Sequence, residues 1–309
     1  MADTKTVRVK VPATSANCGP GFDCLGFACT MYNEFSLALT EKEGLNFTIT
    51  GDGAQNIPQD EYNIVWRSAR YLLDRTRYGA IYKGGVITMH NNVPLSRGLG
   101  SSATAIIAGL EAANALIGNE FSRRDILQFA NRIEGHPDNV APAIFGGFTS
   151  SVVYRGRVQT FAFLPKLRLK FVAAIPDFTL PTRVAREVLP DKVTREDAIF
   201  NISRASMLIA ALMSGNPFYF RNSLYDAIHE PYRMSLVPGM QDVFYAAKKN
   251  GALGATLSGA GPTLMAYTLE RDHIAESVAD AMVDAFEKNG VKAAAHVLSL
   301  DTRGAYVYS

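Results

Sequence analysis

Pro94-Leu95-Ser96-Arg97-Gly98-Leu99-Gly100-Ser101-Ser102-Ala103-Thr104 is the stretch whose reading decides the fold. The β-type run Val86-Ile87-Thr88-Met89-His90 precedes it, and an Ala/Ile/Leu-rich helical run follows from Ala103 to about Ile117. A glycine- and serine-rich turn therefore joins a strand to a helix start. Gly98 and Gly100 let the backbone approach a ligand with no Cβ in the way. Ser101 and Ser102 are natural N-cap residues. A helix N-terminus offers free N–H groups and partial positive charge to an anion. The stretch reads as a phosphate cradle and the chain as a nucleotide-using enzyme.

Three other phosphate cradles are weighed against these residues. A Walker A loop needs Gly-Lys before Ser or Thr, and the chain has no Gly-Lys dipeptide. A protein kinase needs Asp-Phe-Gly, but Asp177-Phe178 runs into Thr179. Gly98-Leu99-Gly100-Ser101-Ser102-Ala103 fits the dinucleotide fingerprint literally. That fingerprint expects an acidic residue at the end of a second strand, whereas Glu120 lies in a loop and helix start. What remains is the pattern Pro-x-x-x-Gly-Leu-Gly-Ser-Ser-Ala, or a glycine turn that merely caps a core helix.

Composition narrows the class. The chain has 309 residues, 48% of them hydrophobic, and a formal net charge of +2. One large or two ordinary domains are expected, with a substantial core. No block of like charge suggests nucleic acid, and Lys166 to Lys170 alternates as one face of a strand would. No apolar run approaches the ~20 residues of a membrane span. Met1 to Lys10 is polar and charged, unlike a signal peptide. Cys18, Cys24 and Cys29 lack zinc-ligand spacing and read as semi-buried thiols of a reducing cytoplasm.

Periodicity places the elements. Val7, Val9 and Val11 alternate as in a half-buried strand, and Pro12 to Asp23 reads as a loop. Strands are expected over 25–39 and 45–50, and a helix over 63–75. Another helix follows over 124–133, with Ser122 as its cap. A hairpin is expected over 146–163. A second strand-rich block starts at Leu169 and holds helices over 195–214, 218–225, 240–250 and 273–289. A strand–glycine turn–strand over 255–267 and late strands at 296–300 and 305–308 complete it. Mixed elements without strict alternation point to an α+β fold, with a boundary at 164–170.

The loop string resembles the ATP loop of the galactokinase, homoserine kinase, mevalonate kinase and phosphomevalonate kinase superfamily. Val11 to Gly26, containing Asn17 and Gly19-Pro20-Gly21-Phe22-Asp23, resembles the first motif in its homoserine kinase form. His136-Pro137-Asp138-Asn139 through Gly147 is similar to the same group, and Ser258-Gly259-Ala260-Gly261-Pro262-Thr263 resembles the third motif. The matches span residues 11 to 263 in family order.

The resemblance implies two domains, an N-terminal ATP-binding kinase part over residues 1–167 and a C-terminal part over 168–309. The first would be like ribosomal protein S5 and the second ferredoxin-like. It implies phosphorylation of the homoserine side-chain hydroxyl by ATP with Mg²⁺, on the route to threonine. Pro94 to Thr104 would hold ATP. Ser102 and Glu134 would hold the metal, with Gln128 at an alternative spacing but uncharged. Arg186 and Arg233 would take a substrate carboxylate, a fit to guanidinium geometry, and Asp23 an ammonium. Asn17, His136 and Asn139 match further substrate contacts, and Thr182 would lie beside the substrate. Asp138 is either a general base or a cap for a helix beginning at Asn139. Asn63 is either an adenine neighbour or an N-cap. The Ser258–Thr263 turn would brace the ATP loop through backbone flexibility. A cytoplasmic enzyme is expected, with no nucleic-acid or membrane partner and a homodimer admitted. The rivals are a kinase of another small alcohol, a non-catalytic sensor on the same fold, and an oxidoreductase.

Overall fold

The computed structural model describes residues 5–308. The polar start read over residues 1–10 therefore lies partly outside the described residues. The chain begins with β1 (Thr6–Ala16), β2 (Leu25–Thr40) and β3 (Gly44–Gly51), then α1 (Ile64–Leu73), the short α2 (Tyr78–Ile81) and β4 (Gly84–Asn91). After the glycine loop come α3 (Ser101–Leu116), α4 (Arg123–Glu134) and α5 (Pro137–Phe145), then β5 (Phe148–Tyr154) and β6 (Arg157–Phe163). β7 (Leu169–Pro176), α6 (Thr182–Glu187), α7 (Arg195–Ser214), α8 (Pro217–Ser223), α9 (Glu230–Arg233) and α10 (Met240–Lys249) follow. The chain ends with β8 (Gly254–Leu257), β9 (Leu264–Leu269), α11 (Ala275–Lys288), β10 (Ala293–Ser299) and β11 (Tyr306–Tyr308).

The first sheet runs β11-β1-β2-β4-β3, with the β5–β6 hairpin attached to β2. Only its β3–β4 pair is parallel. This agrees with the expected α+β fold and excludes the doubly wound sheet on which the oxidoreductase alternative would rest, because β4 pairs antiparallel with β2. The second sheet runs β10-β7-β9-β8 with antiparallel neighbours. In chain order that is 4-1-3-2 with intervening helices, the split βαβ arrangement of ferredoxin-like folds.

β1 overturns the loop expected from Pro12. Its first half alternates, and everything from Val11 to Ala16 is buried. Proline and small polar residues suggest a turn in isolation, but here both faces of the strand are covered. Pro12 cannot donate to a ladder, and the register with β2 shifts between Pro12 and Ala13. Lys166 and Arg168 are likewise not strand residues, since β7 starts at Leu169.

Three buried clusters follow from the layers, one of them packing α10 and α11 against the second sheet. α3 is buried along almost its whole length among β1, β2, α1 and α4. A second cluster joins the two sheets through Phe27, Phe148, Phe171 and Tyr267, with Phe27 stacked on Phe171 at 4.4 Å between centroids. β11 then returns to pair with β1. A contiguous C-terminal domain over 168–309 is corrected to that extent: residues 306–308 complete the first sheet. No helix among the described residues is long and apolar enough to cross a membrane.

Candidate active site

The cavity of about 290 Å³ lies where the glycine loop, the N-termini of α3 and α5, α6 and the Ser258–Thr263 turn converge. Its floor is the start of α3. The N-cap is Gly100 in the left-handed region, with no side-chain cap. Ser101 and Ser102 are thus the first two helical residues, which corrects their reading as caps. The Ser101 hydroxyl donates backwards to the Val93 carbonyl at 3.2 Å, so the first amides of α3 are left for an anion.

Two glycines are obligatory here. Gly100 (φ +69°) would place a Cβ 2.0 Å from the Thr14 hydroxyl, and Gly98 (φ +79°) one 2.3 Å from the Ser258 carbonyl. The loop is held from behind. Ser258 Oγ donates to the Gly98 carbonyl at 2.6 Å and is 2.9 Å from Ser15 Oγ. Thr263 N–H donates to the Arg97 carbonyl and Leu180 N–H to that of Ser96. The third turn braces the loop as expected, but a side chain does much of it, which corrects the emphasis on backbone flexibility. That hydroxyl carried no signal in sequence beyond its motif.

Not every loop residue faces the cavity. Leu95, Ser96, Arg97, Gly98, Gly100, Ser101 and Ser102 line it, together with Ala105 one turn on. Leu99 and Ala103 are fully buried core residues, Pro94 is not in the lining, and Thr104 donates to the Ser101 carbonyl. Asn63 is also withdrawn. It is fully buried, its Oδ1 caps Val65 and Trp66 N–H, and its Nδ2 donates to the Pro58 carbonyl. Ile57, Ile64 and Met89 line that apolar end instead.

Ser102 Oγ donates to Glu134 Oε2 at 3.0 Å across 32 residues of sequence. Glu134 ends α4, whose start is fixed by a Ser122–Asp125 capping box. Burial pushes the Glu134 carboxyl above its usual range, while His136 and the Ser102 hydroxyl pull it back only partly. Gln128 is spent elsewhere, exchanging two bonds with the Val158 backbone. An exposed hydroxyl beside a half-buried carboxylate that forms no direct ion pair among the described residues fits a divalent cation held between hard oxygen donors.

His136 is the N-cap of α5, and Asp138 lies inside the first turn, which excludes Asp138 as the cap of a helix beginning at Asn139. His136 Nδ1 is 2.5 Å from Asp138 Oδ1. Burial works against the imidazolium, but the Asp138 bond and neighbouring carboxylates outweigh it and raise the His136 pKa. Asn139 Oδ1 accepts from Thr14 Oγ at 2.8 Å. Asn17 Nδ2 donates to the Gly259 carbonyl, and its Oδ1 accepts from Asp23 N–H.

The two arginines are held differently. Arg186 forms a fork with Asp23, Nη2 to Oδ1 at 2.8 Å and Nη1 to Oδ2 at 3.1 Å. Arg233 is only 2% exposed and forms no direct ion pair among the described residues, while Asp23, Asp226 and Asp138 act on it through space. Its Nε donates to the Ala185 carbonyl, and its Nη1 reaches the Gly259 carbonyl and His229 Nδ1. Burial first, and then Arg186, lower its pKa to about 10. His229 is buried and its pKa is lowered by that burial. Nε2 lies 2.8 Å from the Gly19 carbonyl, so the neutral ring donates there and accepts from Arg233 at Nδ1. Phe22 stacks on His229, and both guanidinium carbons lie within 6 Å of its ring. Phe22, His229 and Glu230 were missed as site supports; only the Phe22–Asp23 adjacency hinted at the first.

The family models of the GHMP kinase N-terminal and C-terminal domains match residues 63–147 and 208–293. This chain belongs to the GHMP kinases. Among these kinases, curated homoserine kinases from Desulfitobacterium hafniense and Moorella thermoacetica are each 42% identical to it, over 97% of this chain and 99% of theirs. The crystal structure of homoserine kinase from Cytophaga hutchinsonii superposes with a TM-score of 0.90 at 32% identity, covering 100% of this chain and 99% of that one. A mevalonate kinase structure with a TM-score of 0.68 at 13% identity shares the fold. The family membership bears out the two-part α+β kinase fold and an enzymatic rather than a sensing role. Of the residues expected in this GHMP kinase's site, Asn17, Asp23, Asp138, Thr182, Arg186 and Arg233 line one cavity with Ser102, Glu134, His136 and Asn139.

Proposed function

We propose that this kinase transfers the terminal phosphoryl group of ATP to the side-chain hydroxyl of L-homoserine, giving O-phospho-L-homoserine on the route to threonine. The observation that carries the amino-acid reading is Arg233, a buried cation whose hydrogen-bond partners are all neutral and which forms no direct ion pair among the described residues. Such a charge is costly unless paired, and a substrate carboxylate supplies the pair. The curated relatives are homoserine kinases, which supports the same acceptor.

On this reading the phosphates lie on the uncapped amides of α3 within the Leu95–Ser102 loop, and the adenine lies against Ile57, Ile64 and Met89. Ser102 and Glu134 are the residues that would hold Mg²⁺, which neutralises phosphate charge during transfer. The carboxylate is taken by Arg233 and Arg186 and the ammonium by Asp23. Asn17, His136, Asn139 and Thr182 position the remainder of the acceptor. The acceptor oxygen forms the new bond to phosphorus as the bond to the bridging oxygen of ADP breaks, and the hydroxyl proton passes to an oxygen of the transferred phosphoryl group. A loose transfer needs little early deprotonation, and Asp138, tied to His136, acts through that ring. We further propose a cytoplasmic enzyme and a homodimer, the latter to be tested by light scattering.

The test is ADP release with Mg²⁺ and homoserine, mevalonate, shikimate or galactose as acceptor. Homoserine is expected to lead in kcat/KM by at least about an order of magnitude, the least that a built polar site provides. Equal turnover of mevalonate or galactose would overturn the reading.

A further inference from the structure

α7 is apolar on both of its faces. Leu208, Ala211 and Leu212 turn inward into the cluster that joins the two sheets. The opposite face carries Ile199, Ile202, Met207 and Met213, all exposed, and Phe218 and Tyr219 at the start of α8 continue it. At 3.6 residues per turn the four α7 residues fall within a stripe about 140° wide. A surface helix ordinarily turns charge to the solvent, and one that is apolar all round is buried. Between Asp197 and Arg221 the only charged residue is Arg204. Its guanidinium folds back to 3.3 Å from the centroid of the Phe200 ring and donates to the Phe200 carbonyl, so its charge lies off the stripe. The six side chains are 40–67% exposed. They leave roughly 600 Å² of apolar surface per copy, at the upper end of the ~300–600 Å² patch of a typical monomer.

We infer that the outer face of α7 is the contact surface of a homodimer, with α7 of one copy packed antiparallel on α7 of the other about a two-fold axis at Ser206. This rests on the homodimer proposed above, gives it a surface, and is independent of the acceptor. Ser206 and Ala210 are exposed and lie along the middle of the stripe. With Ser206 on the axis, positions equally far from it face each other. Ile199 of one copy then faces Met213 of the other, and Ile202 faces Ala210. The small residues let the helix axes approach to the usual ~8–10 Å, and the large ones fill the space on either side. One patch serves both copies, as a two-fold contact requires. Its area approaches the ~800 Å² per partner of a standard interface. Burying it desolvates no charge, since none lies on it. A lipid surface is the poorer fit, because membrane-bound helices set lysines and arginines beside their apolar face.

The test is the mass of the full chain by light scattering over a dilution series, for wild type and Ile202→Asp. Wild type should show twice the chain mass. Ile202→Asp should fall to a single chain at concentrations where wild type is paired, because the two-fold buries the new charge twice. Ser206→Cys serves if Ile202→Asp does not fold. A short bismaleimide should link Ser206→Cys to its own copy as a dimer on a denaturing gel. It should link neither wild type, where Cys24 is the one exposed cysteine among the described residues, nor Ser277→Cys on α11. A dimer that survives Ile202→Asp undiminished overturns the α7 contact and moves the interface to another face, such as the β5–β6 hairpin with its exposed Phe161. If that variant does not fold, Ser206→Cys without a cross-link overturns the contact likewise. Both results leave the homodimer intact. A monomeric wild type overturns contact and homodimer together, and co-sedimentation with phosphatidylglycerol vesicles would then assign the face to a lipid surface. The acceptor is measured separately, by ADP release.

Discussion

Glu134 shows at the scale of one residue how environment assigns chemistry. Its carboxyl is pushed above the usual range by burial, against the opposing effect of His136 and Ser102. A carboxylate in that position is short of positive charge, and a bound cation would supply it. Glu134→Gln keeps the size and removes the charge. It should lower kcat by about 10²-fold or more, by analogy with loss of one preorganised electrostatic group. Gln128→Ala should stay near wild type in kcat, since Gln128 only pairs with the β6 backbone. The direction of the Glu134 shift also sets a pH dependence. Activity should fall on the acid side as the carboxyl takes a proton, at a pH above the ordinary carboxylate range. Raising Mg²⁺ should move that limb to lower pH, because the cation competes with the proton for the ionised form. A limb indifferent to Mg²⁺ in a pH–rate series would remove Glu134 from the metal site. Residue type was legible here: Glu134 and Ser102 were read from motif context. Their 3.0 Å contact was not, since it joins the N-terminus of one helix to the end of the next.

Among the elements, α9 is where an apparently ordinary helix supports the site. Glu230 starts it, is buried, and accepts the Leu257 N–H at 2.7 Å, so it holds the strand leading into the third glycine turn. Burial raises its pKa from 4.5 to about 8. Across that window the folded chain holds a proton that the unfolded chain has released, so stability falls as pH rises from about 4.5 to 8. Glu230→Gln mimics the protonated form and has no charge to bury. The variant and wild type should melt alike near pH 5, and the variant should melt higher near pH 9. Equal melting at both pH values would show that Glu230 does not titrate in this way. The helix is four residues long and shows no periodicity, which is why pattern reading passed over it. The longer elements were visible: α7 spans the expected 195–214, and α4 starts at its Ser122 cap. Among the failures were β1 beyond Pro12 and the caps of α3 and α5. In each, local propensity named a residue that tertiary contacts then used otherwise.

For the whole molecule the decisive feature is the return of the chain end. Ala305 N–H donates to the Ala143 carbonyl at 2.7 Å, β11 pairs with β1, and Arg123 donates to the Ala305 carbonyl. The C-terminus thus props α5, the helix that carries Asp138 and Asn139 behind His136. Ending the chain after Asp301 should lower Tm by about 5 °C or more, given roughly 2–4 °C per kcal/mol for a domain of this order of size. It should also reduce kcat, since α5 loses its support. An unchanged melting curve and rate would show that β11 is dispensable to the first sheet.

The sequence by itself determined the kinase family, the mixed α+β class, most helices and strands, and the residue types of the site. Those follow from local periods, from glycines that no other residue can replace, and from motifs read within a few positions. Only the tertiary structure decided which of those residues meet. Asp23 and Arg186 are 163 positions apart, and Asn17 and Gly259 are 242 apart. Hydrogen bonds and ion pairs act over a few ångströms, so a contact between such positions exists only once the two sheets have packed.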